Sequence, residues 1–235
     1  MPEPISKDGS HLSGRVISMD EVTPLLAQLE RKDMTTAAHT WRVTLYTRRV
    51  AEEFGLSHDF IDRVCRAAAL HDVGKLEIPD GILQKPGKLT NEEFEIIKTH
   101  TTRGFDFLRS RGVEDEAVLN LVRHHHERVD GKGYPDGLAG DAITPGARYF
   151  SVVDSFDALT SLRPYRREIG EGAAEKALDE LAAGAGTRYD PEAVDLFTRL
   201  YRTGELNWIL HYFNDECPVP AFTEIAKVGA SRGRP

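Results

Sequence analysis

Two runs of this chain are equipped for chemistry: His71-Asp72-Val73-Gly74-Lys75 and, farther downstream, His125-His126-Glu127-Arg128-Val129-Asp130-Gly131-Lys132-Gly133-Tyr134-Pro135. Neutral imidazole and carboxylate are ligands that first-row divalent metals take. The first run sets one of each on adjacent residues, where a helical stretch meets glycine. The second sets two imidazoles ahead of a turn studded with glycine. A solvated loop has no physical need for His-His or for Gly-Tyr-Pro, so the two runs read as halves of one metal centre.

Other residues join them only as members of a set. The chain has nine histidines. A single helical histidine is more often a hydrogen-bonded structural residue than a ligand, and that holds for His39 or His100 taken alone. Helices from separate parts of an all-helical domain can nonetheless converge such residues on one point. Asp154, in Val152-Val153-Asp154-Ser155-Phe156-Asp157, is a carboxylate among apolar neighbours; buried without a partner it costs several kcal/mol. A metal or a salt bridge removes that cost, and Asp157, three residues on, fits a supporting position. Three consecutive residues cannot all face one site, so His124 reads as a supporting residue behind the ligands or as exposed. His11, His58 and His211 read as surface residues.

The elements that must position these groups are helices. Apolar residues recur at helical spacing over Asp20–Glu30, Thr35–Phe54 and Asp59–Val73. The last of these carries His71-Asp72 near its end, behind a run of small residues, Ala67-Ala68-Ala69. Residues 75–89 hold Pro79, Gly81, Pro86 and Gly87 and read as an ordered loop. Thr90-Asn91-Glu92-Glu93 fits a capping box opening a helix to about His100. Further helices are expected at Gly104–Ser110, Asp115–His124, Ala147–Thr160, Ala173–Ala183 and Pro191–Arg202. Strand alternation is nearly absent, so the fold class is all-α. Residues 1–18 read as a mobile arm, 19–202 as the domain, and 203–235 as a C-terminal extension of unknown role.

Composition narrows the function classes. The net charge of −8 argues against binding to long nucleic acid, which needs a basic face, but not against a small phosphorylated ligand. No apolar run is long enough to span a membrane, and residues 1–10 lack the pattern of a signal peptide. Two cysteines, Cys65 and Cys217, make no disulfide framework. A cytoplasmic protein is the expectation.

The order His39, His71-Asp72-x-Gly74-Lys75, His100, His125-His126 through Gly133-Tyr134-Pro135, then Asp154-x-x-Asp157-Ala158-Leu159-Thr160 resembles an HD-GYP domain. That family is a branch of the HD-domain metal-dependent phosphohydrolases. The resemblance covers about residues 35–200. It includes Ile78-Pro79-Asp80, Leu83-x-Lys85-Pro86-Gly87-Lys88-Leu89-Thr90 and Arg163-Pro164-Tyr165-Arg166. It implies an HD-domain helical bundle and a two-metal site that hydrolyses cyclic di-GMP. The implied ligands are His39, His71, Asp72, His100, His125, His126 and Asp154, with Asp72 as the bridge. Lys75 is implied to neutralise the phosphate, and Tyr134, Arg163 and Arg166 to contact substrate. Some members add a third metal through a glutamate four residues before the first histidine. Thr35 stands there, so two ions are expected, and the linear product pGpG ahead of GMP. Iron is the first choice of metal and manganese the second, with zinc, cobalt or magnesium also compatible. Cyclic GMP-AMP hydrolysis and a non-catalytic receptor role stay open, as do binding to diguanylate cyclase (GGDEF) domains, a regulatory partner and a homodimer.

Overall fold

Residues 14–32, 36–161 and 171–212 are described in the computed structural model of the chain. Their helices are α1 (Met19–Lys32), α2 (Thr36–Glu53), α3 (His58–Leu70), α4 (Asp80–Leu83), α5 (Asn91–Lys98), α6 (His100–Ser110), α7 (Glu116–His124), α8 (Pro145–Thr160), α9 (Glu171–Gly184), α10 (Pro191–Arg202) and α11 (Asn207–Tyr212). Among the described residues there is no strand, only isolated bridges such as Asp130 with Ala139. The all-α expectation agrees with this. No described helix is long and apolar enough to cross a membrane.

Short polar signals start the helices. Asp115 caps α7 through Ala117 N at 2.9 Å, and Asp190 caps α10 through Glu192 N at 2.8 Å. Thr90 and Glu93 form the expected capping box at α5. Apolar faces then bury against one another: α2 packs along α3 and α8, and α7 packs against α3, α6 and α8. The alanines at 67–69 are fully buried, which lets α3 sit inside the bundle with neighbours close on several sides. Tyr46, Phe156 and Phe197 meet in tilted and edge-on contacts, with ring centroids 4.8 to 5.8 Å apart. They tie α2, α8 and α10 together.

The described residues differ from the sequence expectations in five places. The third helix stops at Leu70, not Val73, and residues 73–77 tighten into a 3-10 turn. Gly74 there presses on α6 so closely that a Cβ would lie 1.9 Å from the His100 carbonyl oxygen and 2.5 Å from Gly104 N. The sixth helix begins at His100 and runs through Gly104, because that glycine is a contact between elements, not a break. The stretch expected as a loop over 75–89 carries this turn and α4. Residues 14–18 do not behave as an arm: Ile17 is buried, Glu114 N donates to Arg15 O at 3.0 Å, and Arg15 pairs with Glu21 at 2.5 Å. Beyond residue 202, Leu206 and Ile209 are buried in the same core as α2 and α10, so the assigned extension is continuous with the bundle at least to Tyr212. Thr35, Arg163 and Arg166 lie outside the described residues.

Candidate metal centre

Each histidine of interest except His39 sits where an element ends or begins. His71 closes α3 and Asp72 leads into the 3-10 turn; His100 opens α6; His125 and His126 follow the last turn of α7. His39 lies in the second turn of α2, and Asp154 lies midway along α8. The bundle brings all seven sequence-designated residues into one cluster. Nitrogen or carboxylate atoms of His39, His71 and Asp154 lie within 4.8 Å of one another, as do those of His100, His125 and His126, and those of His71, Asp72 and His125.

Asp72 stands between the two outer groups. Its Oδ2 is 3.3 Å from His71 Nε2, while its Oδ1 is 3.4 Å from His100 Nε2. On one side, His39 Nε2 is 3.3 Å from His71 Nε2 and 3.4 Å from Asp154 Oδ1. On the other, His100 Nε2 is 3.2 Å from His125 Nε2. Lys75 Nζ lies 2.7 Å from Asp72 Oδ2.

The tautomers explain why these residues fit divalent metal. Nδ1 of His71, His100 and His125 lies 2.7, 2.8 and 2.9 Å from the carbonyl oxygens of Ala68, Ile97 and Val122. A carbonyl only accepts, so each Nδ1 carries the hydrogen and, in a neutral ring, each Nε2 presents a lone pair. His39 Nδ1 is held in the same way, 2.8 Å from Asp157 Oδ2. The short Nε2 to Nε2 approaches therefore set lone pair against lone pair. That is unfavourable in a buried site unless a cation lies between them, and it matches the arrangement of metal-binding histidines.

Burial and charge act together on protonation. Burial lowers His100 and His125, and burial with the nearby His100 lowers His126 to about 4. Burial also works against the charged form of His71, but Asp72 and Asp154 outweigh it and leave this group above its ordinary value. For Asp72, burial is outweighed by Lys75 and then His71, which hold it well below the usual carboxylate range. A consequence follows for the metal-free protein. Below about pH 6.5 its unfolded chain takes up protons that the three depressed histidines refuse when folded, so stability falls as the pH drops through this window. His71 acts in the opposite sense: its contribution is full below the unfolded value and is lost as the pH rises through its folded value. Three groups against one should lower the thermal midpoint of metal-free protein between about pH 7 and about pH 4.5. Unfolding scans at stepped pH measure this, and a rising midpoint would contradict it.

The Gly-Tyr-Pro loop folds onto the cluster. Tyr134 N donates to His126 O at 3.2 Å, and the Tyr134 ring lies on the His126 imidazole with centroids 4.8 Å apart. Gly133 packs on the backbone of 126–128, where a Cβ would come within 2.4 Å of Arg128 N. Glu127 is buried and accepts from Asp136 N at 2.7 Å and Leu138 N at 3.0 Å. Arg128 forks onto Asp130, and Arg123 and His124 both reach Asp136. These three therefore brace the loop. Glu127→Gln would turn one acceptor into a donor facing a backbone N–H, at a cost of about 1–3 kcal/mol. We expect faster amide exchange at Asp136 and Leu138, and a midpoint lower by roughly 2–4 °C per kcal/mol.

Three residues here were missed on sequence. Arg42, buried on α2, forks onto Asp157 at 2.5 and 3.0 Å; its position three after His39 was the available signal. Lys98 Nζ lies 5.6 Å from the Tyr134 ring centre and 5.7 Å from that of Phe94, which is half exposed. Nothing in the spacing of Phe94 and Lys98 on α5 distinguishes them from an ordinary amphipathic face.

Known proteins are similar to this chain in sequence and in fold. The chain is 45% identical over 182 residues to a cyclic di-GMP phosphodiesterase of Thermotoga maritima, covering 77% of this chain and 49% of that protein. It is 38% identical over 183 residues to the 3'3'-cGAMP-specific phosphodiesterase 2 of Vibrio cholerae, covering 77% of this chain and 34% of that protein. The chain thus spans about half the length, or less, of these curated relatives. In fold it is similar to Bd1817, an HDG"Y"P protein of Bdellovibrio bacteriovorus, with a TM-score of 0.58 at 19% identity over 71% of this chain and 52% of that one. A family model described as HD domain matches residues 21–193. That match spans well over half of the sequence, so the chain belongs to the HD-domain family, and the Gly-Tyr-Pro loop seated on its histidines makes it an HD-GYP domain.

Proposed function

We propose that this domain hydrolyses a phosphodiester linkage of cyclic di-GMP, giving linear pGpG ahead of GMP. The observation that carries the reading is Asp72, which turns one oxygen toward His71 and the other toward His100. A carboxylate so placed can bridge two ions, one held with His39, His71 and Asp154 and the other with His100, His125 and His126. Such an ion pair, when bound, would lower the pKa of a bound water toward neutrality and offset charge on phosphoryl oxygens. Iron is the first candidate and manganese the second, since the set contains nitrogen and oxygen donors without thiolate. Zinc, cobalt and magnesium are the remaining ones.

The protein's own groups bind and orient the dianionic substrate. Lys75 lies 2.7 Å from Asp72 Oδ2, where its ammonium would donate to a phosphoryl oxygen as charge builds there. Burial pushes the Tyr134 phenol up, so it stays protonated and can donate a hydrogen bond, while its ring offers a face for guanine. Arg163 and Arg166 are assigned to phosphate or base through their planar donor forks. Water adds to phosphorus, the 3′ oxygen leaves with a proton, and a 5′-phosphate results. A cytoplasmic setting fits such a substrate.

The cyclic GMP-AMP relative favours a second reading, in which base contacts select that dinucleotide. The two dinucleotides carry the same phosphodiester linkage, so side-by-side turnover of the two ligands separates the readings. A receptor role, with the loop docking a cyclase domain, has less support, because the loop's Tyr134 is already engaged with His126. The decisive experiment is anaerobic loading with iron(II) or manganese(II), metal analysis, and chromatography of products from cyclic di-GMP. We expect about two ions per chain and stoichiometric pGpG. Metal-replete protein that leaves cyclic di-GMP intact would overturn the proposal.

A further inference from the structure

Arg42 and Asp157 form an ion pair in the interior, across the packing of α2 against α8. Asp157 is 0% exposed and Arg42 2%. Arg42 also donates to Ser161 Oγ at 2.7 Å, and Ser161 Oγ lies 2.6 Å from the Asp157 carbonyl oxygen. Such a pair gains little over well-packed apolar residues once both charges have lost their water. Its placement therefore calls for another reason, and the remaining bond supplies one: Asp157 Oδ2 holds His39 Nδ1.

The two halves of the cluster are built differently. His39 is backed by a carboxylate, and its half contains a second one, Asp154. His100 and His125 are backed by neutral carbonyls, and their half offers three imidazoles with no carboxylate of its own. Carboxylate backing raises the basicity of a ligand histidine and fixes its ring. An added negative charge strengthens attraction for a hard divalent ion.

We propose that Arg42 is a positioning residue that, by clamping Asp157 against His39, makes the His39–His71–Asp154 half the tighter of two unequal metal positions. The inference rests on the reading of the cluster as a two-metal site.

The test uses the full chain loaded with manganese(II) and challenged with graded EDTA, reading ions retained per chain and the electron spin resonance signal. Wild type should lose its ions in two separate steps. The ion that resists should be missing in His39→Ala and present in His126→Ala. Arg42→Lys and Asp157→Asn should weaken retention of that ion by about 10–100-fold and leave the weaker one unchanged. Circular dichroism reports folding, and if either variant unfolds, the wild-type steps and the two histidine variants still decide. Two ions leaving wild type together would overturn this proposal alone, as would a resistant ion that survives His39→Ala. Equal loss from both positions in folded Arg42→Lys would do the same. Wild type that holds no manganese would overturn the two-metal reading as well.

Discussion

Asparagine in place of Asp72 is expected to lower cyclic di-GMP turnover by about 10³-fold or more. Asparagine keeps the size of the side chain, so the bundle should fold. It removes the negative charge and leaves one oxygen where two now face His71 and His100. The amide nitrogen has no lone pair for a metal and would point at an imidazole lone pair or at the Lys75 ammonium, 2.7 Å away in the native protein. Lewis-acid stabilisation of a phosphoryl transition state is worth several kcal/mol, and ~4 kcal/mol corresponds to ~10³ in rate. The measurements are kcat with product identified and metal content by mass spectrometry, with circular dichroism as the control. Turnover within about tenfold of wild type would remove Asp72 from the mechanism.

The second large effect concerns a residue with no chemistry at all. Gly74→Ala should destabilise the protein by about 3 kcal/mol or more, at the upper end for overpacking. The added methyl would meet backbone atoms, His100 O and Gly104 N, which have no rotamer to change. For a domain of this size that is roughly 6–12 °C in thermal midpoint. The same contact sets the position of His100 relative to Asp72, so metal retention should fall in whatever fraction remains folded. Gly104→Ala is the internal comparison. A Cβ there would meet Val122 Cγ1 at 3.0 Å and Gly74 N at 3.2 Å, a milder crowding partly against a movable side chain. If Gly74→Ala proved the more stable of the two, the close approach would not be what fixes this corner.

These two glycines also show where sequence reasoning stops. Thr90 with Glu93 and the apolar spacing of α2, α7 and α10 were readable because the signal and the structure are both local. The seven residues that the fold gathers into one cluster were readable because residues of scarce types recur in a fixed order. The end of α3 and the start of α6 were not, because Gly74 and Gly104 answer to each other across the fold. Glycine read along the chain signals a break, whereas here it permits contact. Arg42 was missed for a related reason: a charged residue in a helix reads as solvated face until its partner, Asp157, is placed behind it. Residues 14–18 have too little periodicity to reveal that Ile17 is buried.

The carbonyls of Ala68, Ile97 and Val122, introduced above as partners of histidine Nδ1, belong to the last turns of α3, α5 and α7. Carbonyls in that position lack an intrahelical partner and carry the negative pole of the helix dipole. Three such poles converge behind the imidazoles, and each favours positive charge near the ring it backs. A helix C-terminal pole opposes an approaching anion and favours a cation. Were ions held here, their charge would offset these poles, and a dianionic dinucleotide would meet a centre less negative than the bare cluster.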